Sequence, residues 1–327
     1  MKKKITVLLL LLAALLCGCA KSQEKPKDKE EIPIVKPVKE EKPSVDDPKS
    51  ETTDEKEPEP KQEPDKNPEK PGKNENHGGG SARSISKDEF LKQLAAQPHY
   101  LESRKDRYLG YYASDRYTPA QVVRIVNTDN DMPYFTQESP ADLSQGNLVL
   151  VNKLHPLGTN YRPGDLKELG NYGTWGSLRA EALEAFVALS DAAKAEGLTI
   201  IGVSPFRDYA KQNQLYTQYC NREGAAKADT YSARPGFSEH QTGLALDVAG
   251  RDCNLNNFGG TKEFDWMQAH AHEYGFILRY AEGMSYITGY MYEPWHYRYV
   301  GTKAAEEIHS SGLTLEEYYA YYVLKIK

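Results

Sequence analysis

The spacing of apolar residues along this chain of 327 residues predicts both helices and strands. Over residues 178–195 apolar side chains recur every three or four positions until Gly197, which predicts an amphipathic helix that ends at a glycine. Over residues 243–248 the large aliphatic side chains occupy every second position, which predicts a strand with one face in the core. Residues 198–203 are mostly apolar and predict a buried strand.

Weaker patterns complete the set of predicted elements. Ser86 stands three residues before Glu89, a capping-box spacing that predicts the start of a short helix reaching Gln97. The other predicted strands cover residues 147–153, residues 276–280 and the segment around His296. The other predicted helices are one after Gln212 that runs through Tyr219, and those over residues 264–274, 302–310 and 314–324. Together these elements predict an α+β fold, in which a small, mostly antiparallel sheet is flanked by helices.

Tyrosines are concentrated between residues 100 and 117. Such a cluster can stack on a sugar or a peptide, but its more common role is a small separate core under a loop. The cluster belongs to a helical, tyrosine-rich extension that we predict over residues 85–145, ahead of a main domain over residues 146–327.

The first 84 residues show neither the helical recurrence nor the strand-like alternation of apolar side chains. Residues 5–16 form an apolar run after three lysines, which predicts a secretory signal over residues 1–19 that is too short for a comfortable membrane span. Most of residues 20–84 are Lys, Glu, Asp or Pro, and the segment offers too little apolar surface to offset the entropy of ordering. We therefore predict a long disordered tether over residues 20–84.

The sequence Leu16-Cys17-Gly18-Cys19 resembles the lipobox of bacterial lipoproteins, in which a small residue precedes the cysteine that is lipidated. Gly18 fits that position before Cys19, whereas Leu16 does not fit it before Cys17. Two acyl chains suffice for stable attachment to a membrane. We therefore expect an extracytoplasmic protein anchored to the outer face of the bacterial cell membrane, with the tether reaching towards the wall. Ordinary cleavage and release is the alternative.

Net charge and cysteine content narrow the function classes. A net charge of −6 gives no support to nucleic-acid binding, which requires a basic face. Cys220 and Cys253 lie outside the signal, and an extracytoplasmic protein keeps disulfides. A bond between them would close a loop of about 33 residues and contribute roughly 3–4 kcal/mol in the chain-entropy model. We predict this disulfide, with two unpaired thiols as the alternative.

Four side chains from two distant segments predict a metal centre. His240 and Asp247 are seven positions apart, and Glu293 and His296 are three apart. Two histidines and an aspartate can fill three corners of a zinc tetrahedron and leave the fourth for water, which is the layout of a catalytic site. Glu293 is then free to act as general base and acid. Because a single histidine beside a strand is more often a core residue, the prediction depends on all four residues occurring together.

The local sequence around both segments supports this arrangement. Gly243 allows a tight turn that a residue with a β-carbon would resist. Asp247 leaves its strand on the face opposite to the aliphatic residues, where a ligand can sit. Pro294 lacks an N–H and fits the start of a strand. His270 and His272 are two positions apart on a predicted helix and do not face the same way, so they are excluded as ligands.

The stretch Ser238-Glu239-His240-Gln241-Thr242-Gly243-Leu244-Ala245-Leu246-Asp247, together with Glu293-Pro294-Trp295-His296, resembles the VanY-type D-alanyl-D-alanine carboxypeptidases. It is equally similar to the LdcB-type L,D-carboxypeptidases of bacterial cell walls. These families share a fold with lysostaphin-like peptidases and the hedgehog signalling domain. The resemblance covers residues 147–300, and it implies a zinc metallocarboxypeptidase that acts on the stem peptides of peptidoglycan.

The resemblance also implies substrate-binding residues. Arg207, Gln212 and Ser238 match positions that help to hold the substrate in the resembled family. An arginine suits this role because its planar, permanently charged fork fits a terminal carboxylate. The family usually has Ser-Gly-Tyr-Arg where this chain has Ser-Pro-Phe-Arg, so the arginine is kept while the loop before it differs.

The predicted reaction is zinc-dependent removal of the terminal D-Ala from a stem peptide by a monomeric D,D-carboxypeptidase. Three alternatives stay open: an L,D-carboxypeptidase acting on tetrapeptide stems, an endopeptidase that cuts wall cross-links, and a non-catalytic wall-binding lipoprotein. The endopeptidase would not need Arg207 to recognise a free carboxylate. The non-catalytic protein would not need Glu293.

Overall fold

The computed structural model describes residues 81–327, except residues 252 and 254. The predicted signal, the lipidation site at Cys19 and most of the predicted tether lie outside the described residues. Within the described residues, no helix is both long enough and apolar enough to cross a membrane. The domain boundary predicted between residues 145 and 146 stays a prediction.

The described elements are helices and short strands, with three of the α-helices preceding the first strand. The α-helices are α1 (Lys87–Ala95), α2 (Lys105–Leu109), α3 (Pro119–Asn127), α4 (Ala180–Ala195), α5 (Tyr209–Glu223), α6 (Ala225–Ala228), α7 (Lys262–His270), α8 (Ser285–Thr288), α9 (Thr302–Ser311) and α10 (Leu315–Tyr318). The strands are β1 (Leu166–Glu168), β2 (Ser177–Arg179), β3 (Ile201–Ser204), β4 (Ala245–Ala249), β5 (Phe276–Leu278) and β6 (His296–Tyr299). Short 3₁₀ helices cover Glu102–Arg104, Leu143–Leu148, Gly170–Tyr172, Glu239–Thr242, Leu255–Gly260 and Ala271–Tyr274, and a π-helix covers Tyr319–Val323.

Four of the strands form one antiparallel sheet in the order β3-β4-β6-β5, and β1 pairs with β2 in a separate hairpin. All five residues of the central strand β4 are buried. Leu244, Leu246 and Val248 belong to the main hydrophobic core, which they share with α4, whereas Asp247 leaves the opposite face of the strand. In the register of β4 with β6, Asp247 is paired with His296. The predicted α+β fold with a small antiparallel sheet is confirmed.

The strand predicted over residues 147–153 is wrong. The chain there ends a 3₁₀ helix and continues as a loop. Val149 and Val151 are buried in the main core, so the apolar run over residues 148–151 reflects burial and not sheet pairing. Nη2 of Arg298 donates to the carbonyl oxygens of Asn147 and Val149 at 2.9 and 2.8 Å. Because a buried side chain satisfies these carbonyls, the segment needs no neighbouring strand.

Several predicted helices differ from the structure at their ends. Residues 178 and 179 belong to β2, so α4 begins at Ala180, and α1 ends at Ala95 and not at Gln97. The side chain of Thr261 accepts from the backbone N–H of Phe264, so α7 begins at Lys262, two residues before the predicted start. Its last turn is a separate 3₁₀ helix that ends at Tyr274. The predicted C-terminal helix over residues 314–324 begins as α10 and continues as the π-helix.

The tyrosine-rich segment builds a small core of its own. Tyr108, Tyr111 and Tyr117 are buried together with apolar side chains of α1 and α3. This burial confirms the separate core as the role of these three tyrosines. Arg124 of α3 connects that core to the C-terminal helices, because its Nη2 lies 2.9 Å from Oε2 of the buried Glu317.

The predicted disulfide between Cys220 and Cys253 is absent from the structure. Sγ of Cys253 accepts a hydrogen bond from the backbone N–H of Gly250 at 3.0 Å. Cys220 lies on α5, where its side chain is hydrogen-bonded to that of Tyr216. Each sulfur therefore has a local partner. An oxidising compartment permits a disulfide, but the geometry of the two cysteines decides whether they can be bridged.

Candidate active site

The turn before β4 positions His240. This residue lies in the 3₁₀ helix Glu239–Thr242, and Gly243 follows in the left-handed region at φ 68°. A β-carbon on Gly243 would come within 2.9 Å of a neighbouring leucine side chain, so the turn requires glycine. Nδ1 of His240 lies 2.9 Å from the carbonyl oxygen of Pro205. Donation from Nδ1 leaves the lone pair on Nε2, which faces Oδ1 of Asp247 at 3.6 Å.

Strand pairing brings the other two predicted ligands together. Asp247 on β4 and His296 on β6 are cross-strand partners, and Nδ1 of His296 lies 3.3 Å from Oδ1 of Asp247. The rings of His240 and His296 are nearly perpendicular, with their centroids 4.9 Å apart. All three side chains are buried, with 2–5% of each residue exposed.

The three residues fit a metal ion. One donor atom from each of His240, Asp247 and His296 lies within 4.8 Å of the others, which confirms that the two distant segments converge. In the described part of the chain, no donor meets Oδ1 of Asp247 with hydrogen-bond geometry, although this atom is buried. Such a carboxylate oxygen is costly to bury unless a cation meets it. His270 and His272 lie outside this cluster, as predicted.

The electrostatics of the two histidines differ. Burial and the nearby Arg207 lower the pKa of His240 to about 3, so its imidazole is neutral and can act as a ligand. Burial alone would lower the pKa of His296, but the neighbouring carboxylates of Asp247 and Glu239 raise it to about 9. A metal ion at this position competes with that proton, so metal binding releases it.

Glu293 stands beside the cluster and not among its three members. It is buried, and its Oε2 lies 3.7 Å from Nδ1 of His296. Burial raises the pKa of Glu293 to about 8, although His296 and Arg207 oppose this shift. A carboxyl group that titrates near neutral pH can both accept and release a proton during a reaction.

The three residues predicted to hold the substrate line the same pocket as Glu293 and the metal-ligand cluster. These residues are Arg207, Gln212 and Ser238. The backbone N–H of Arg207 donates to the carbonyl oxygen of His240 at 3.3 Å, so the loop that carries the arginine is fixed to the ligand turn despite its Ser-Pro-Phe-Arg sequence. The structure therefore brings the predicted residues together, and their roles in binding stay predictions.

A buried network behind the cluster was missed by the sequence analysis. Arg279 Nε and Arg298 Nη1 each donate to Oε1 of Glu239 at 2.8 Å, and Arg279 also pairs with Glu316. Burial disfavours the ionised form, yet the two arginines hold the pKa of Glu239 well below its usual value. One signal was available: Arg298 is two residues after His296 in a strand, so both side chains share a face.

Comparisons with known proteins agree with this geometry. A family model described as VanY: D-alanyl-D-alanine carboxypeptidase matches residues 176–302. The putative carboxypeptidase YodJ of Bacillus subtilis is 43% identical over 186 residues, which are 53% of this chain and 66% of that protein. The match thus spans slightly under two thirds of the Bacillus protein. A D-alanyl-D-alanine carboxypeptidase of Enterococcus faecalis is 34% identical over 197 residues, 56% of this chain and 69% of that protein.

Among solved structures, the LdcB LD-carboxypeptidase superposes with a TM-score of 0.54 at 40% sequence identity. The superposition covers 58% of this chain and 92% of that chain. The family model covers the segments that carry the ligand cluster and Glu293, and the relatives match over 186 and 197 residues. They confirm the resemblance stated above: the chain belongs to the VanY family of D-alanyl-D-alanine carboxypeptidases, which are peptide hydrolases.

Proposed function

We propose that this chain is a zinc-dependent carboxypeptidase that removes the terminal D-Ala from peptidoglycan stem peptides, with the D,D bond of a pentapeptide as its first candidate substrate. One observation carries the proposal: a single pocket holds the three-residue ligand cluster, the buried Glu293 and Arg207. A structural metal site needs neither a buried proton carrier nor a fixed cation beside it. An exopeptidase needs both.

The donor set favours zinc. Two imidazoles and one carboxylate are a set that catalytic zinc sites use, with a fourth position left open. His240 would bind through Nε2 and His296 through Nδ1, because these atoms face Asp247. When bound, zinc polarises the scissile carbonyl and lowers the pKa of a water molecule.

Glu293 supplies the proton transfers. Its carboxylate accepts a proton from the water molecule that attacks the scissile carbonyl carbon. When the C–N bond breaks, the same carboxyl group returns that proton to the nitrogen of the departing D-Ala. Its burial and its raised pKa, about 8, suit a group that alternates between both protonation states.

Recognition of the chain end falls to Arg207 and Ser238. Arg207 offers a fork of N–H donors to the terminal carboxylate, and Ser238 offers a hydroxyl. Gln212 has a different capacity, because its Nε2 already donates to the carbonyl oxygen of Ala233 at 2.7 Å. Its buried Oε1 has no hydrogen-bond partner among the described residues. Gln212 is therefore suited to accept a hydrogen bond from an N–H of the substrate.

An L,D-carboxypeptidase is the second candidate. It is favoured by the likeness to the LdcB LD-carboxypeptidase, with its 40% identity and TM-score of 0.54. The D,D candidate is favoured by the family model and by the enterococcal relative. Both reactions release D-Ala and use the same pocket residues, so the choice depends on the residue before the scissile bond.

Mass spectrometry of muropeptides distinguishes these candidates. The zinc-loaded full-length protein is incubated with pentapeptide, tetrapeptide and cross-linked muropeptides, with and without a chelator. Conversion of pentapeptide to tetrapeptide supports the D,D reaction, and conversion of tetrapeptide to tripeptide supports the L,D reaction. Cleavage of cross-links alone would overturn the carboxypeptidase proposal in favour of an endopeptidase. No product in any mixture would overturn the catalytic proposal itself.

We also propose that the protein is held at the outer face of the bacterial membrane by lipid on Cys19. The residue before it, Gly18, is small, as a lipobox requires, and the proline-rich charged segment over residues 20–84 supplies reach. Two acyl chains provide stable attachment. The peptidoglycan substrate lies in the same compartment.

A further inference from the structure

Glu239 is a buried carboxylate whose two oxygens face different partners. Its Oε1 accepts hydrogen bonds from Nε of Arg279 and Nη1 of Arg298, both at 2.8 Å. The side chains of all three residues are fully buried. Two charge-assisted hydrogen bonds to one oxygen fix the plane and the position of the carboxylate.

The second oxygen points at a predicted metal ligand. Oε2 of Glu239 lies 3.5 Å from Nε2 of His296. Both atoms are buried, and neither makes a hydrogen bond of regular geometry with any described residue. Since buried polar atoms normally have a partner, each is suited to serve the other, with the imidazole N–H as donor and the carboxylate oxygen as acceptor.

We propose that Glu239 is a positioning residue that holds His296 in the tautomer with the proton on Nε2, so that the lone pair of Nδ1 faces the metal site. The proposal rests on the proposed function, since it assumes that the cluster binds zinc. The tautomer has to be fixed because each ring nitrogen faces a carboxylate, Nε2 that of Glu239 and Nδ1 that of Asp247. Nδ1 lies 3.3 Å from Asp247, and a proton there would block ligation.

The arginines make Glu239 suited to this task. Burying a carboxylate is costly unless its charge is compensated, and the two arginines supply that compensation at Oε1 while leaving Oε2 open to the imidazole. Arg279 is itself held by Glu316, at 2.9 and 2.6 Å, so the two arginines and two glutamates balance in charge. Such a fully paired group holds its members in place. Removing one of them would leave a buried charge without compensation.

Replacing Glu239 by glutamine tests the tautomer directly. Arg279 and Arg298 can only donate, so the amide oxygen should remain at the position of Oε1. The amide NH₂ group, which can only donate, then faces Nε2 of His296, so a hydrogen bond between them requires a lone pair on Nε2. The imidazole would shift its proton to Nδ1, the atom that should ligate the metal.

The zinc dissociation constant of the full-length protein is measured by competition with a chromophoric chelator. We expect Glu239→Gln to weaken zinc binding about 10- to 100-fold, as is typical when the carboxylate behind a ligating histidine is removed. Glu316→Gln is the matched control. It removes a buried carboxylate from the same Arg279 but does not contact His296, so zinc affinity should stay within about threefold of the wild type. The absorption spectrum of the cobalt(II)-loaded protein should change in the Glu239 variant alone.

Equal zinc affinity and equal cobalt spectra in the two glutamine variants would overturn the inference. If Glu239→Gln does not fold, Glu239→Asp takes its place, because it keeps the charge opposite both arginines while withdrawing the carboxylate from His296. Its affinity should fall between those of the wild type and a His296→Ala variant, and wild-type affinity would overturn the inference. Failure of the wild type to bind zinc would instead overturn the proposed function, so the two failures are distinguishable.

Discussion

Oε2 of Glu293 lies 3.7 Å from Nδ1 of His296, and the two residues are three positions apart around the start of strand β6. The side chain of His296 belongs to the metal-ligand cluster, and that of Glu293 does not. This spacing keeps the glutamate next to the ligands while leaving its carboxylate free to accept and release a proton. The backbone N–H of His296 also donates to the carbonyl oxygen of Glu293 at 3.2 Å, which fixes the turn.

Glu293→Gln should abolish most of the turnover and leave zinc binding intact. An amide of the same size cannot accept a proton from water, so kcat should fall about 10²- to 10⁴-fold, the range for loss of a general base. Turnover of a free-ended stem peptide and zinc content per protein are measured together. Glu282→Gln, at an exposed position on the preceding loop, is the control and should behave like the wild type. Normal turnover in the Glu293 variant would contradict its role.

The sequence predicted the ligand cluster because the strands around it obey simple rules. Alternation places Asp247 away from the core face of β4, and Gly243 marks the turn that carries His240. Both features are local, so they can be read without knowing which strands pair. The strand pairing of Asp247 with His296 is not local, and the sequence did not predict it. The convergence of the two segments was predicted from the joint occurrence of the four side chains.

Other features depend on contacts between distant segments and could not be predicted. Residues 147–153 contain an apolar run like that of a buried strand, but Arg298 supplies hydrogen bonds that a neighbouring strand would have made. The partners of Glu239 lie 40 and 59 positions along the chain. No spacing rule connects such residues, because charged residues are ordinarily exposed and their pairing is decided by the fold.

Arg207→Lys should weaken the recognition of a free chain end. Lysine keeps the positive charge but loses the planar pair of donors. We expect kcat/KM for a free-ended peptide to fall about 10- to 100-fold, equivalent to about 1.4–2.7 kcal/mol of transition-state binding. A C-terminally amidated peptide is the matched comparison, and it should be a poor substrate for both proteins. An unchanged rate on the free-ended peptide would favour an endopeptidase.

Removing the metal should stop the reaction and destabilise the folded protein. A ligand present at about 100 times its dissociation constant stabilises the native state by about 2.7 kcal/mol. For a folded region of this size, that corresponds to a rise in Tm of roughly 5–10 °C on adding zinc to chelator-treated protein. Differential scanning fluorimetry and turnover are measured on the same samples. His240→Ala should show no rise in Tm, and a rise equal to that of the wild type would place the metal elsewhere.

Cys220 and Cys253 should both react as thiols. The structure contains no bond between them, and each sulfur has another polar partner. Alkylation of the secreted or membrane-bound protein under denaturing, non-reducing conditions should therefore label both cysteines, as counted by peptide mass spectrometry. Cys220→Ser should leave Tm within about 2 °C of the wild type, because no loop closure of about 3–4 kcal/mol is lost. Detection of the Cys220 and Cys253 peptides joined by a disulfide in the native protein would contradict this prediction.

Cys19→Ser should release the protein from the membrane. Thioether-linked diacylglycerol requires the thiol, and without its two acyl chains nothing in the described residues is long and apolar enough to span a bilayer. The full-length protein is expressed in a bacterium supplied with an alkyne fatty acid, and label incorporation is compared with membrane fractionation. Cys17→Ser is the matched control, because Cys17 follows Leu16 and not the small residue that a lipobox requires. This variant should keep both the label and the membrane attachment. Membrane retention with full labelling in the Cys19 variant, or loss of both in the Cys17 variant, would show that the anchor is attached elsewhere.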